Sequence, residues 1–199
     1  VVSPVKMNIL YLEVDNPLQI SVPGFPAGEI TASITNGSIV PIKKSSGEYK
    51  ARPSKKGKAS VTLYTKIDGK RTKMGSVEFR VKEVPPPKAR VPLAKKAGGV
   101  LMIEKTKMLN SGGVLADLEN FDFEGVRYII TSYRLTGMYK GEQMKRETTN
   151  GGGFTKDMLN IIKNTKIGNT LTISNIKAKR VDIKNSKERQ LDPLVLEIK

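Results

Sequence analysis

Residues Ala59 to Lys82 read ASVTLYTKIDGKRTKMGSVEFRVK. Ala59, Val61 and Leu63 alternate with Ser60, Thr62 and Tyr64, and Val77, Phe79 and Val81 alternate with Ser76, Glu78, Arg80 and Lys82. Successive side chains of an extended chain point to opposite faces, so a two-residue period describes strands with one apolar and one wet face. Between the two runs, Asp68-Gly69 supplies the positive φ values of a tight hairpin turn. This part of the chain is β-structure.

The same period continues upstream. Ile30, Ala32 and Ile34 make another strand, ended by Asn36-Gly37, which reads as a second hairpin signal. Met7–Val14 and Leu18–Val22 precede it, separated by Asp15-Asn16-Pro17. Lys50–Pro53 followed by Gly57-x-Ala59-x-Val61 resembles the closing half of bacterial immunoglobulin-like modules, in which an aromatic, here Tyr49, packs into the core. About seven short strands with turns every 8–12 residues or so point to an immunoglobulin-like β-sandwich over residues 1–84.

Downstream, Val84-Pro85-Pro86-Pro87-Lys88-Ala89-Arg90-Val91-Pro92 breaks the pattern. Proline lacks the ladder donor, and consecutive prolines favour an extended, semi-rigid polyproline II spacer. Residues 85–92 are therefore expected to form a linker. A second β-rich module then occupies residues 93–199, giving two tandem β-sandwich modules, the second with one short helix. Its strands are expected at Val126–Leu135, Leu171–Ile173, Ile176–Val181 and Leu194–Ile198. Val114, Ala116 and Leu118 share one parity and Phe121 and Phe123 the other, which calls for a bulge near Asn120. The helix is expected near 155–163. Thr155 is its N-cap, Asp157 suits the first turn, Met158, Leu159 and Ile162 form an apolar stripe, and Lys163 and Lys166 suit its C-terminal end.

Composition excludes several chemistries. Among 199 residues there is no histidine, cysteine or tryptophan, which removes the commonest general acid–base group, the commonest transition-metal ligands and any thiol nucleophile. The chain reads as a non-enzyme with no cofactor, metal site or small-molecule substrate. No apolar run approaches the ~18 residues of a membrane span. The chain begins Val1-Val2 without methionine, so it is expected to be a fragment whose targeting and anchoring segments lie elsewhere. The net charge of +16 is dispersed, with 14 basic and 7 acidic residues over 1–84 and 17 and 12 over 99–199. Dispersed charge of this kind is a solvated surface.

Four constellations bear on chemistry. Gly151-Gly152-Gly153 before the helix has no P-loop spacing and reads as a flexible loop. Asp117, Glu119, Asp122 and Glu124 form the densest acidic cluster but lack a calcium-loop pattern. Basic groups cluster at Lys55-Lys56-Gly57-Lys58, Lys70-Arg71-x-Lys73 and Lys177-x-Lys179-Arg180, with Tyr64 and Tyr133 as candidate base-stacking partners. Asn36-Gly37-Ser38 matches a glycosylation sequon, which an Asn-Gly turn explains without modification.

Taken in order, Val2-Ser-Pro-x-Lys-Met-Asn-x-Leu-Tyr, Asp15-Asn-Pro-x-x-Ile-Ser-Val-Pro-Gly, Met74-Gly-Ser-x-Glu-Phe-Arg-Val-Lys, Glu119-Asn-Phe-Asp-Phe, Ile173-Ser-Asn-Ile-Lys-Ala-Lys and Leu191-Asp-Pro-x-Val-Leu resemble the C-terminal periplasmic part of the GldM/PorM family, most of all its PorM branch. These are components of the type IX secretion and gliding-motility machinery. Near 182–187 the family pattern has a Gly-containing hairpin turn, where this chain has Asn185-Ser186. The resemblance implies the last two domains of a homodimeric periplasmic shaft. An N-terminal transmembrane helix, absent from this chain, would anchor the whole protein in the inner membrane and join the GldL/PorL partner in a proton-powered motor. The far end would contact the outer-membrane ring of the GldK/PorK lipoprotein and GldN/PorN. Pro85, Pro86 and Pro87 would be the interdomain hinge. The competing readings are a nucleic-acid-binding module, motivated by charge alone, and a surface adhesin module. The partners expected are proteins and not nucleic acid.

Overall fold

The computed structural model describes residues 8–119, 121, 123–139, 142–148 and 150–199. It is mainly β, as the two-residue period indicates, and divides into two compact units. One is Val1–Val84 with Asp122–Gly125, and the other is Pro85–Phe121 with Val126–Lys199.

The first unit carries β1 (Ile9–Tyr11), β2 (Asn16–Gln19), β3 (Thr31–Ile34), β4 (Ser38–Lys43), β5 (Glu48–Arg52), β6 (Gly57–Ile67) and β7 (Lys70–Lys82). Four strands in the order β1-β7-β6-β3 form one sheet and β2-β5-β4 the other. Leu10, Ala59 and Val81 of the first sheet share a buried cluster with Ala51 of the second, and Ile34 and Ile39 pack against it. Tyr49, Ile20 and Ile30 form a second cluster, and Leu18 and Ile39 touch both. Tyr49 is in the core, as its neighbours indicated, and its hydroxyl donates to the Ile30 carbonyl at 2.7 Å. Pairing that hydroxyl offsets the cost of burying it.

The β6–β7 hairpin forms where the sequence places it, with Asp68 at φ +50° and Gly69 at φ +75°. Asn36-Gly37 behaves differently. The strands on either side of it, β3 and β4, pair with β6 and β5 respectively, in different sheets. The dipeptide is an arch between sheets and not a hairpin turn. The Asn36 amide accepts from the Ser54 and Lys55 N–H groups at 3.3 and 3.0 Å and donates to the Lys55 carbonyl at 2.6 Å. A Cβ on Gly37 would sit 2.1 Å from the Arg52 carbonyl oxygen. Local turn chemistry is the same in both settings, so the dipeptide alone cannot separate an arch from a hairpin. Val77 also departs from expectation: on the apolar face of β7, it is nonetheless 44% exposed. Among the described residues β1 covers β7 only from Arg80 to Lys82, and none pairs with β7 on that side beside Val77.

The second unit carries β8 (Lys88–Arg90), β9 (Lys95–Ala97), β10 (Val100–Ile103), α1 (Lys105–Asn110), β11 (Leu115–Asp117), β12 (Tyr128–Tyr139), β13 (Glu142–Thr148), α2 (Lys156–Asn164), β14 (Thr170–Arg180), β15 (Arg189–Gln190) and β16 (Leu194–Ile198). Among the described residues its main sheet runs β13-β12-β14-β16-β10-β9, with β15 beside β14 and a separate β8–β11 ribbon. One cluster fills the interior, including Leu135, Leu171, Ile173, Ile176, Ala178 and Leu196 from the sheet and Met158, Ile161 and Ile162 from α2.

Helix α2 starts as its sequence dictates. Thr155 is the N-cap, and its hydroxyl oxygen accepts from the Met158 N–H at 3.3 Å. The short helix α1 was not anticipated; its six residues bury only Met108, too little for a visible stripe. Leu171–Ile173 and Ile176–Val181 merge into one strand. Asn175 at φ +51° is the extra residue, where two positions of β14 face one of β12. This bulge moves the inward set from odd to even numbers, which is why Leu171, Ile173, Ile176 and Ala178 are all fully buried. The bulge expected near Asn120 lies outside the described residues. Within the segment read as a spacer, Lys88–Arg90 pair with Leu115–Asp117, and Val91 is buried in the second unit's core. The N–H groups between Pro87 and Pro92 are free to enter a ladder even though the flanking prolines cannot. The turn after β14 is closed without glycine: the Ser186 hydroxyl accepts from the Arg180 N–H at 2.9 Å.

Candidate functional site

The triple glycine is a backbone crossing. Gly113 bridges Gly153, the Val114 N–H donates to the Gly152 carbonyl at 2.8 Å, and the Phe154 N–H donates to the Gly112 carbonyl at 3.3 Å. A Cβ on Gly113 would lie 2.0 Å from the Gly152 oxygen, and one on Gly152 would lie 2.2 Å from the Val114 oxygen. Two glycine runs far apart in sequence thus lie backbone on backbone, which the sequence reading of a flexible loop missed. The signal available was the pairing of Gly112-Gly113 with Gly151-Gly152-Gly153, since close backbone approach needs glycine on both sides. An open cleft of about 590 Å³ flanks the crossing, lined by Arg90, Asp117, Tyr128 and Ile130 among others.

Tyr133 is 2% exposed. Its hydroxyl donates to the Gly153 carbonyl at 3.0 Å and its ring meets Phe154 edge-on, with centroids 6.4 Å apart. Burial pushes its pKa well above the usual tyrosine range. It cannot stack on a base. Tyr64 carries the Arg71 guanidinium over its ring, 3.7 Å from the centroid. Both aromatic candidates for nucleic-acid contact are thereby engaged within the protein.

The charged clusters resolve largely into ion pairs. Asp117 accepts from Arg90 at 2.7 Å and Glu119 from Lys88 at 2.6 Å; Asp122 lies outside the described residues. Lys56 pairs with Glu83 at 2.6 Å, Lys58 with Glu78 at 2.9 Å, and Lys177 approaches Glu188 at 3.9 Å. Exposed pairs of this kind contribute at most about 1 kcal/mol each. Arg180 is different, being nearly buried and held by Asp182 through its Nε at 3.2 Å and its Nη2. Burial raises the Asp182 pKa, but hydrogen bonds from Arg180 and the Arg127 N–H outweigh it, leaving the carboxyl below its ordinary range. Among the described residues no group of three or more acidic side chains is arranged to hold a metal ion. Of the prolines proposed as a hinge, Pro85 and Pro86 are exposed and Pro87 is buried.

Residues 1–82 match the GldM third domain, and residues 85–199 match the GldM C-terminal domain. No curated protein matches the chain. Among solved structures it is similar to the adhesin InvE of Yersinia pseudotuberculosis, at 14% identity and a TM-score of 0.27, over 96% of this chain and 56% of that one. It is also similar to the EC1-2 segment of human protocadherin-24, at 13% identity and a TM-score of 0.22, over 98% and 96% of the two chains. The chain thus spans about half the length of the adhesin. Likeness at this level does not bear on what the chain does.

Proposed function

The chain belongs to the GldM family, carrying its third and C-terminal domains in tandem, and from that we propose that it is a non-catalytic, periplasmic shaft segment of the gliding and type IX secretion machinery. Family membership makes it a component of that machinery. The finer reading is that a homodimer of the whole protein couples an inner-membrane motor partner of the GldL/PorL type to an outer-membrane ring of the GldK/PorK and GldN/PorN type.

One observation carries the mechanical part of this reading. In the first unit the opening strand β1 and the closing strand β7 are adjacent and parallel, with Leu10 opposite Val81. The Leu12 N–H donates to the Lys82 carbonyl at 2.8 Å and the Arg80 N–H to the Asn8 carbonyl at 2.9 Å. In a parallel pair the start of one strand and the end of the other lie at opposite ends of the ladder. Tension applied through the two chain ends therefore loads these hydrogen bonds together, in shear, instead of opening them one at a time. That arrangement suits a force-bearing segment.

Single-molecule pulling tests it. The 199-residue chain held before Ile9 and after Lys82 is expected to resist higher force than the same chain held before Ile9 and at the Gly69 turn, which peels the hairpin strand by strand. Equal forces in the two geometries would remove the mechanical support. Within the same proposal, Pro85–Pro87 stiffens the passage from one unit to the next. Replacing the three with Gly-Ser-Gly is expected to broaden the distribution of intramolecular distances in small-angle scattering, and an unchanged profile would exclude the role.

A further inference from the structure

The basic cluster Lys70-Arg71-x-Lys73 is left over by the shaft reading. It belongs to the end of the β6–β7 hairpin, where Lys66 stands directly opposite Arg71 and Tyr64 opposite Lys73. Like charges facing each other across a ladder are destabilising. Beside them lies a cleft of about 600 Å³ within the first unit, lined by Gly28, Glu29, Thr31, Lys44, Thr65, Lys66 and Arg71. Among the described residues Lys44, Lys66 and Arg71 form no ion pair, unlike the basic groups at Lys56 and Lys58. The Arg71 guanidinium is fixed flat on the Tyr64 ring.

Two lysines and a preoriented guanidinium, none in an ion pair among the described residues, in one small-molecule-sized cleft are the elements of an oxyanion site. We propose that this cleft receives the carboxylates of an acidic peptide segment of a partner protein. Two features favour carboxylate on a peptide over phosphate. Glu29 shares the lining, and its repulsion weighs about twice as heavily on a doubly charged phosphate as on a single carboxylate. Thr31 belongs to β3, the last strand of its sheet, so an extended segment finds backbone groups to pair with beside the charges.

The experiment uses the full chain and a fluorophore-labelled hexaglutamate peptide, read by fluorescence anisotropy at about 150 mM salt, where diffuse attraction is screened. Lys66→Gln with Arg71→Gln is expected to weaken binding by about tenfold or more. Lys163→Gln with Lys166→Gln removes the same charge from exposed positions of the second unit and is expected to leave binding unchanged. The first pair relieves a like-charge opposition, so an unaltered or higher melting temperature shows that the fold survives. Equal losses in both double variants, or none in either, would overturn the proposal. So would inorganic phosphate displacing the peptide at concentrations where acetate does not, since the cleft would then be a phosphate site.

Discussion

Gly152→Ala is expected to unfold the second unit, while Gly153→Ala next to it is tolerated. At Gly152 the new methyl would lie 2.2 Å from the Val114 carbonyl oxygen, a backbone atom tied to the crossing by the Val114 N–H bond to Gly152 itself. Neither strand can retreat without losing the contacts between the two glycine runs. Overpacking against side chains costs about 1–3 kcal/mol; against backbone, roughly 4 kcal/mol or more is expected. Gly153 has its nearest neighbour at 3.7 Å and an ordinary φ, so its alanine should change stability by no more than about 0.5 kcal/mol. Gly151 has space but sits at φ +91°, and its alanine should cost about 1 kcal/mol for conformation alone. Calorimetry on the full chain separates the three. A Gly152→Ala protein melting like the parent would mean the crossing is far looser than its distances imply.

Leu10→Ala carries the other large effect. Leu10 is 1% exposed at the centre of a cluster whose other fully buried members are Ala51, Ala59 and Val81. Two of those are already alanines, so the buried members that line the gap have little side chain with which to fill it. Leucine-to-alanine changes at such sites cost about 3–5 kcal/mol, and the poorly collapsing ones lie at the upper end. A small sandwich has a net stability of about 5 kcal/mol at the low end of the range, so most of it is at stake. The same substitution should lower the force at which β1 and β7 shear apart, because Leu10 faces Val81 in that ladder. Loss of under 1 kcal/mol in a denaturant titration would show the cluster to be plastic.

Which features were legible follows from how local each one is. The β6–β7 hairpin, Thr155 as N-cap and the strand Leu194–Ile198 depend on alternation, turn chemistry or a cap within a few residues. They stand where the sequence puts them. Asn36-Gly37 reads as a hairpin but forms an arch because the partner of each flanking strand is set by the whole sandwich. The burial of Tyr133 is not legible in the sequence, since neither its Gly153 carbonyl nor its Phe154 neighbour is adjacent in the chain. Strand β13 escaped notice because Glu142–Thr148 lacks an apolar period. Parity also carries the Asn175 bulge, in the change from Leu171 and Ile173 to Ile176 and Ala178, where the sequence reads as two separate strands. Of the peptide-binding candidate, Lys70-Arg71-x-Lys73 was visible beforehand. Its cleft was not, since Lys44 and Glu29 come from turns distant in sequence.

Asp122–Gly125 belongs to the first unit although the chain on both sides of it belongs to the second. Phe123, in that short return, presses edge-on against Tyr11 with centroids 4.9 Å apart. A gene cut at the prolines therefore yields an amputated product: the piece ending at Val84 loses an aromatic lid, and the complementary piece keeps a loop with nothing to sit on.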